Sequence, residues 1–270
     1  MNNQQPLVSI NITTFNRSKV IGRCIDSLLK QEYDNFEILV IDDFSTDDTE
    51  EVVKKYIEKD NRIKYHKHSK NKGLSKARNT GFNLSNGKYV ATVDDDDEWI
   101  DNEKLKKQVK IFEEDTNHKI AIVCSSTRII TETGWHDNII EKPTNLILHI
   151  LKGNSLIYTT TALIRKSSFD LIGGFDIKLK KGIDSDFYRR LIVNHGLDVY
   201  FLKDITTNTN EYGDDRITSD FSKAKLKYLI FANLYIIKKH WFSFIINPKA
   251  FVFRIKNIIK YLIKLTKNDI

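Results

Sequence analysis

Val8-Ser9-Ile10-Asn11-Ile12-Thr13-Thr14 alternates β-branched apolar residues with polar ones, the period of a strand. Behind it Ser18, a candidate cap, precedes Val20, Ile21, Cys24, Ile25, Leu28 and Leu29 at helical spacing. The same unit recurs. The apolar run 36–41 ends in Asp42 and Asp43, and Ser45 with Asp48 three residues on resembles a capping box before a helix carrying Val52, Val53, Tyr56 and Ile57. Residues 62–66 and 88–93 read as further strands, and 75–84 and 102–114 as further helices. Strands alternating with helices at this spacing predict an α/β chain with a mostly parallel sheet flanked by helices on both faces.

Composition agrees with a packed core. The chain has 270 residues, 40% apolar and 29% charged, with only 3 Pro and 11 Gly, which excludes collagen-like and low-complexity classes. Its two cysteines, Cys24 and Cys124, each sit in an apolar run and are expected to be buried, reduced thiols in an intracellular setting. The opening residues lack a basic-then-apolar leader, so secretion is not expected. The net charge of +7 is unevenly spread. The segment from Phe221 onward holds 11 of the 43 Lys and Arg and one of the 36 acids, so it carries +10 and the rest carries −3.

In open α/β sheets ligands bind beyond the carboxyl ends of the strands. Three such ends are rich in polar groups: Thr13-Thr14-Phe15-Asn16-Arg17, Asp42-Asp43-Phe44-Ser45-Thr46, and Asp94-Asp95-Asp96-Asp97-Glu98-Trp99. Four adjacent carboxylates raise one another's pKa values, and a divalent cation relieves that repulsion. Alternation at a strand end would let Asp94 and Asp96 share a ligand set while Asp95 and Asp97 face elsewhere. Oxygen ligands suit Mg²⁺ or Mn²⁺, which keep bound water and take phosphate oxygens. The plainer reading is a solvated acidic turn before the helix near Asn102.

With Cys24-Ile25-Asp26-Ser27-Leu28-Leu29-Lys30-Gln31, Asn35-Phe36-Glu37-Ile38, Ile41-Asp42-Asp43 through Thr49, and Gly73-Leu74-Ser75-Lys76-Ala77-Arg78-Asn79, these strings resemble, in order from residue 7 to about 202, the family 2 glycosyltransferases. The resemblance implies the GT-A fold over 1–220, with a nucleotide-sugar half (1–115) and an acceptor half (116–220), followed by a helical tail (221–270). It also implies a metal-dependent, inverting transfer from a nucleotide-diphosphate sugar. On that likeness Thr13 and Phe15 border the nucleotide base, and Asp43 accepts the imide NH that uracil offers and cytosine lacks, making a UDP-sugar the expected donor. A core aromatic for Phe15 and a helix cap for Asp43 are the structural alternatives. Arg17 and Arg78 are candidates for ribose or diphosphate contacts, with a surface salt bridge as the alternative for Arg78. Asp96 corresponds to the metal ligand for Mn²⁺ or Mg²⁺ and Asp94 or Asp95 to the ribose contact, while the run of four also admits Asp97 as the ligand.

In the second half residues 159–165 read as a strand, and Gly182-Ile183-Asp184-Ser185-Asp186-Phe187 resembles the acceptor-side segment in which an acid at a helix start is the catalytic base. Asp184 takes that place, with Asp186 as second choice and a helix N-cap as the alternative for both. Inversion needs one carboxylate to remove the acceptor proton and neutralisation of the departing diphosphate on the opposite face. Ile183 departs from the Glu frequent there, which is the feature favouring a non-catalytic nucleotide-sugar-binding protein instead. His195, before Gly196, reads as a helix C-terminus rather than a ligand. His66 and His68 read as solvated loop imidazoles, Ser125 and Ser126 lack a partner for hydrolase chemistry, and Gly173-Gly174 is not a phosphate loop.

In the tail, Phe251, Val252, Ile255, Ile258, Ile259 and Leu262 share one helical side and Lys249, Lys256, Lys260, Lys264 and Lys267 the other, after an apolar stretch at 228–237. A basic amphipathic helix of this kind suits an anionic membrane surface, or else packs on the catalytic domain. The resemblance places such enzymes at the cytoplasmic face, extending glycan or lipid-linked saccharide acceptors for surface polysaccharides. Nucleic acid is not an expected partner, because an acidic crevice repels a polyanion and no nucleic-acid-binding motif is present.

Overall fold

The computed structural model describes residues 5–153, 156–211 and 223–267. Its first half contains the expected units: β1 (Val8–Thr14), α1 (Ile21–Leu29), β2 (Phe36–Asp42), α2 (Thr49–Ile57), β3 (Ile63–Lys67), α3 (Leu74–Leu84), β4 (Tyr89–Asp94) and, after a two-residue strand β5 (Glu98–Trp99), α4 (Lys104–Glu114). Strands β3-β2-β1-β4 lie side by side and parallel. Thr13 pairs with Ile41 on one side and Asp94 on the other, so the three polar strand ends finish level with one another. That common edge is what assembles the site. Apolar residues hold the sheet in place: on one face Ile10 and Ile12 of β1 pack with α1 (Ile21, Cys24, Ile25, Leu28) and α4 (Leu105, Val109, Phe112), all 5% exposed or less, and on the other Leu39 and Ile41 of β2 pack with Ala77 of α3. Full burial of each such aliphatic side chain is worth about 1.5–3 kcal/mol.

The second half adds β6 (Ile120–Thr131), β7 (Gly134–Asn138), α5 (Leu146–Lys152), β8 (Leu163–Arg165), α6 (Lys166–Ile172), α7 (Ile183–Arg189) and β9 (Asp198–Asn210). The sheet continues as β4-β8-β6-β9-β5, with β7 on the side of β6. β8 is antiparallel to β4 and β6, whereas β9 runs parallel to β6. This order forces a curl. Four inter-strand steps from β4 to β5 would span about 19 Å in a flat sheet, yet only residues 95–97 join Asp94 to Glu98, a reach of about 14 Å. The far end of the sheet therefore bends back over the acidic turn and brings Asn210 to it.

Several local expectations are corrected. Ser18 does not cap α1, which begins at Ile21 behind Val20 without a side-chain cap; the Ser18 N–H instead donates to Asp47 at 3.0 Å. Ser45 accepts the Asn16 N–H at 2.8 Å and so ties two strand-end loops together rather than forming a capping box. Residues 159–161 form a 3₁₀ turn, and the strand there is confined to Leu163–Arg165. Cys24 and Cys124 are free and buried, as expected.

The tail forms α8 (Lys223–Lys239), α9 (Trp241–Ile246) and α10 (Pro248–Lys267). The expected apolar stripe of α10 is split. Ala250, Arg254 and Ile258 face inward, with Arg254 donating to Leu151 O and Asn233 Oδ1, both at 2.9 Å. Phe251, Val252, Ile259 and Leu262 are 41–50% exposed. The tail thus packs on the domain and still presents an apolar outer side. Among the described residues no helix is long and apolar enough to cross a membrane. The boundary expected at residue 220 lies outside the described residues.

Candidate active site

At the level carboxyl edge of β1, β2 and β4 lies a cavity of about 980 Å³ whose other wall is residues 180–185 and 157–160. It brings together all nine expected site residues: Thr13, Phe15, Arg17, Asp43, Arg78, Asp94, Asp95, Asp96 and Asp184. Phe15 is 45% exposed, so it is not a core aromatic, and the buried Thr13 Oγ1 has no hydrogen-bond partner among the described residues.

The two aspartates ending β2 divide their tasks. Asp42 is fully buried and structural, accepting the Ser45 N–H at 2.7 Å and the Tyr65 hydroxyl. Asp43 faces the cavity and does not cap α2. Its Oδ1 accepts from Lys72 N at 2.8 Å and its Oδ2 from Gly73 N at 2.7 Å, at the turn that starts α3. His68, expected in solvent, is 2% exposed with Nδ1 2.7 Å from Asp43 Oδ1. The expectation failed because β3 ends one residue later than the sequence suggests, and His68 behind it turns inward against α3, where Nε2 lies 3.0 Å from Thr80 Oγ1.

The acidic run is a turn closed by the Asp97 N–H on Asp94 O at 3.0 Å. Exposure alternates along it: Asp95 and Asp97 are 7% and 3% exposed, whereas Asp94 and Asp96 are half-buried. Asp95 lies 3.7 Å from Arg17 Nε. Burial, with the charge of Asp96 adding to it, pushes Asp95 up to about 7, and burial with the charge of Asp94 raises Asp97 well above the usual carboxylate range. Asn210 steadies the turn, its backbone N–H donating to Asp97 at 2.9 Å and its amide to Asp96 O. Four carboxylates crowded into one turn repel one another, and a divalent cation bound to the two that face the cavity would relieve that repulsion. Among the described residues no three His, Cys, Asp or Glu side chains are gathered as a ready-made cage. The arrangement fits Mg²⁺ or Mn²⁺ held by one or two carboxylates, Asp96 with Asp94, the remaining positions going to water and phosphate oxygens.

Arg78 is not on the surface. It is 2% exposed, and its two terminal nitrogens reach Asp184 and, at 2.9 Å, Asp94. Burial opposes its charge, but the two carboxylates outweigh that cost and raise its pKa. One guanidinium therefore links the acidic run to the first turn of α7. Asp184 retains 30% side-chain exposure toward the cavity. Asp186, the second choice for a base, is corrected: it is fully buried and points away, toward Arg190 Nε (2.8 Å), Lys239 Nζ (3.0 Å) and His240 Nε2 (3.5 Å). Gly173 and Gly174 close α6 with φ of +71° and +80°, and Gly174 packs on Asn79.

The sequence reading missed His68, Thr80 and Asn210. Asn210 carried no signal, because its role depends on β9 reaching a turn 114 residues earlier. His68 had a weak one, in that it extends the 62–66 strand pattern by two residues.

The model of the Glycosyl transferase family 2 family matches residues 9–173. An uncharacterized glycosyltransferase of Rickettsia bellii is 44% identical over 132 residues, covering 49% of this chain. This chain spans only 18% and 16% of the lengths of the first two curated relatives it matches. The putative teichuronic acid biosynthesis glycosyltransferase TuaG of Bacillus subtilis is 24% identical over 264 residues, covering 96% of this chain and 99% of its own. Among solved structures, S. aureus TarS in complex with UDP-GlcNAc aligns with a TM-score of 0.68 at 22% identity, over 85% of this chain and 66% of that one. The mannosyltransferase PcManGT of Pyrobaculum calidifontis, in complex with GDP-Man and Mn²⁺, aligns with a TM-score of 0.64 at 18% identity, over 94% and 74%. At these identities the structural likeness establishes the GT-A fold.

Proposed function

The chain belongs to glycosyl transferase family 2, and from that premise we propose that it moves a sugar from a UDP-sugar to a hydroxyl of a glycan or lipid-linked saccharide, with inversion, in surface-polysaccharide synthesis. One observation carries the reading: a single cavity holds Asp43, the acidic run and Asp184, with Arg78 joining the last two. Phe15 offers a ring for base stacking, and Asp43 an acceptor for the uracil imide. Arg17, beside Asp95, lies where ribose and diphosphate oxygens would sit. Asp96 and Asp94 would hold the divalent ion, which would supply charge neutralisation for the diphosphate. Asp184 takes the proton of the incoming hydroxyl, and Arg78 holds its carboxylate in place. The ligands named for TarS and PcManGT support a nucleotide-sugar donor, and the TuaG name supports a cell-surface glycan product.

The tail supports placement at an anionic membrane, at its cytoplasmic face. Trp241, Phe242, Ile245 and Ile246 are each at least 60% exposed on one side of α9, and Lys238 of α8 and Lys249, Lys256 and Lys260 of α10 are exposed as well. Each lysine near such a surface contributes about 1 kcal/mol.

The test pairs wild type with Asp184→Asn, using UDP-sugars and saccharide acceptors with Mn²⁺. Wild type should release UDP and glycosylate an acceptor, and Asp184→Asn should bind UDP equally well while losing transfer. Undiminished transfer by Asp184→Asn would overturn the role given to that residue.

A further inference from the structure

His68, 2% exposed and in contact with Asp43, is a buried titratable side chain that the mechanism above does not use. Its place is fixed from three sides. The backbone N–H donates to Asp42 O at 2.8 Å, the ring meets His66 edge to face at 5.6 Å, and Nε2 is 3.0 Å from Thr80 Oγ1, itself 3.0 Å from the Lys76 carbonyl. Nδ1 is therefore held 2.7 Å from Asp43 Oδ1. Asp43 already accepts two backbone N–H groups, as an ionised carboxylate does, so the proton of this third bond sits on Nδ1. A carboxylate offers about four lone-pair positions. Lys72 N–H and His68 occupy those of Oδ1 and Gly73 N–H one on Oδ2, which leaves a single acceptor position, on Oδ2.

We propose that His68, braced by Thr80, is a positioning residue for nucleobase selection: it locks the Asp43 carboxylate so that one acceptor of fixed direction faces the cavity, selecting a base that presents an N–H. The inference rests on the reading of Asp43 as the partner of the base. The terminal torsion of an aspartate is intrinsically broad, and the buried His68 donor narrows further a plane that one backbone donor on each oxygen begins to define. With the plane fixed, uracil gains a hydrogen bond, whereas cytosine sets an acceptor nitrogen against a carboxylate that cannot turn aside. Without His68 the carboxylate keeps only its two backbone donors and gains angular freedom, the bond to uracil weakens and the penalty against cytosine relaxes.

The experiment is calorimetric titration of the full chain with UDP and with CDP, both with Mn²⁺, for wild type, His68→Phe, His68→Asn and Thr80→Val. His68→Phe keeps a ring but no donor, and should weaken UDP by about tenfold, the worth of one hydrogen bond to a charged group, while CDP changes less than about twofold. His68→Asn, whose amide nitrogen can replace Nδ1, should restore most of the UDP-to-CDP preference, and Thr80→Val should fall between. An equal loss of UDP and CDP affinity in His68→Phe, or an unchanged ratio, would overturn the proposal, since a purely structural histidine moves both ligands together. A wild type that binds CDP as tightly as UDP would instead overturn the reading of Asp43 itself.

Discussion

Replacing Asp186 with Asn should cost this protein its stability, whereas the same change two residues earlier should cost it transfer. Asp186 is fully buried and faces Arg190, Lys239 and His240, with Arg189, also fully buried, 3.9 Å away. Burial works to raise its pKa, but the His240 hydrogen bond and the Arg190 and Lys239 charges hold it far below the usual carboxylate range. Asn keeps the shape and removes the charge, leaving the Arg190 and Arg189 guanidiniums without this counter-charge while Lys239 retains only Asp176. Breaking a buried pair from one side costs about 3–5 kcal/mol, and at about 2–4 °C per kcal/mol the midpoint should fall by about 6–20 °C. The sign with pH follows from the depressed folded-state value. The contribution of Asp186 is complete above its unfolded pKa of about 3.9 and is lost as the pH falls through the lower folded value. The gap between wild type and Asp186→Asn should therefore be constant from pH 7 to about pH 5 and should close below about pH 4. Circular-dichroism melts of both proteins across that range read it directly. A midpoint shift under about 2 °C at pH 7, or a gap that widens in acid, would refute the reasoning.

Asp184→Asn should melt within a few degrees of wild type, because Arg78 keeps Asp94, but should lower transfer by about 10²–10⁴-fold, the usual worth of a general base; steady-state assay alongside the melt checks both. Asp96→Asn should weaken UDP binding in Mn²⁺ and leave binding without the ion nearly unchanged, as calorimetry with and without chelator would record. Serine at Trp241, Phe242, Ile245 and Ile246 together should abolish flotation with anionic liposomes, and equal flotation of both proteins would dismiss the membrane proposal. Gly174→Ala should destabilise by about 1–3 kcal/mol, since φ there is +80° and a Cβ would lie 2.7 Å from Asn79 Oδ1; urea titration measures it.

The units from Val8 to Glu114 were legible because their order is set by local periodicity, and the parallel pairing of β1 with β2 and β4 then levels Thr13, Ile41 and Asp94 without further information. The strand ends therefore named most of the site in advance. What stayed hidden was decided by partners remote in sequence. β6 pairs with β9 about 80 residues on, and short strands such as β5 have too few residues to show a period. Asp184 and Asp186 read alike in sequence, yet one meets Arg78 and the other meets Lys239 of α8 and Arg190, just past α7. His68 looked like one imidazole of a basic loop because the wall that buries it, α3, comes later in the chain. In the tail, Arg254 turns inward because it satisfies the Leu151 carbonyl and the Asn233 side chain, a choice no hydropathy pattern contains.

Lys239 Nζ reaches Asp176 at 2.6 Å and Asp186 at 3.0 Å, so the last turn of α8 is wired into the support of the helix that presents Asp184. A shortened chain lacking α8 would strip the counter-ions from beneath the acceptor wall, and its failure to adhere to vesicles would record collapse there instead of a missing anchor. Anchoring and turnover are separable only from the outer side of these helices, with Lys239 and His240 left untouched.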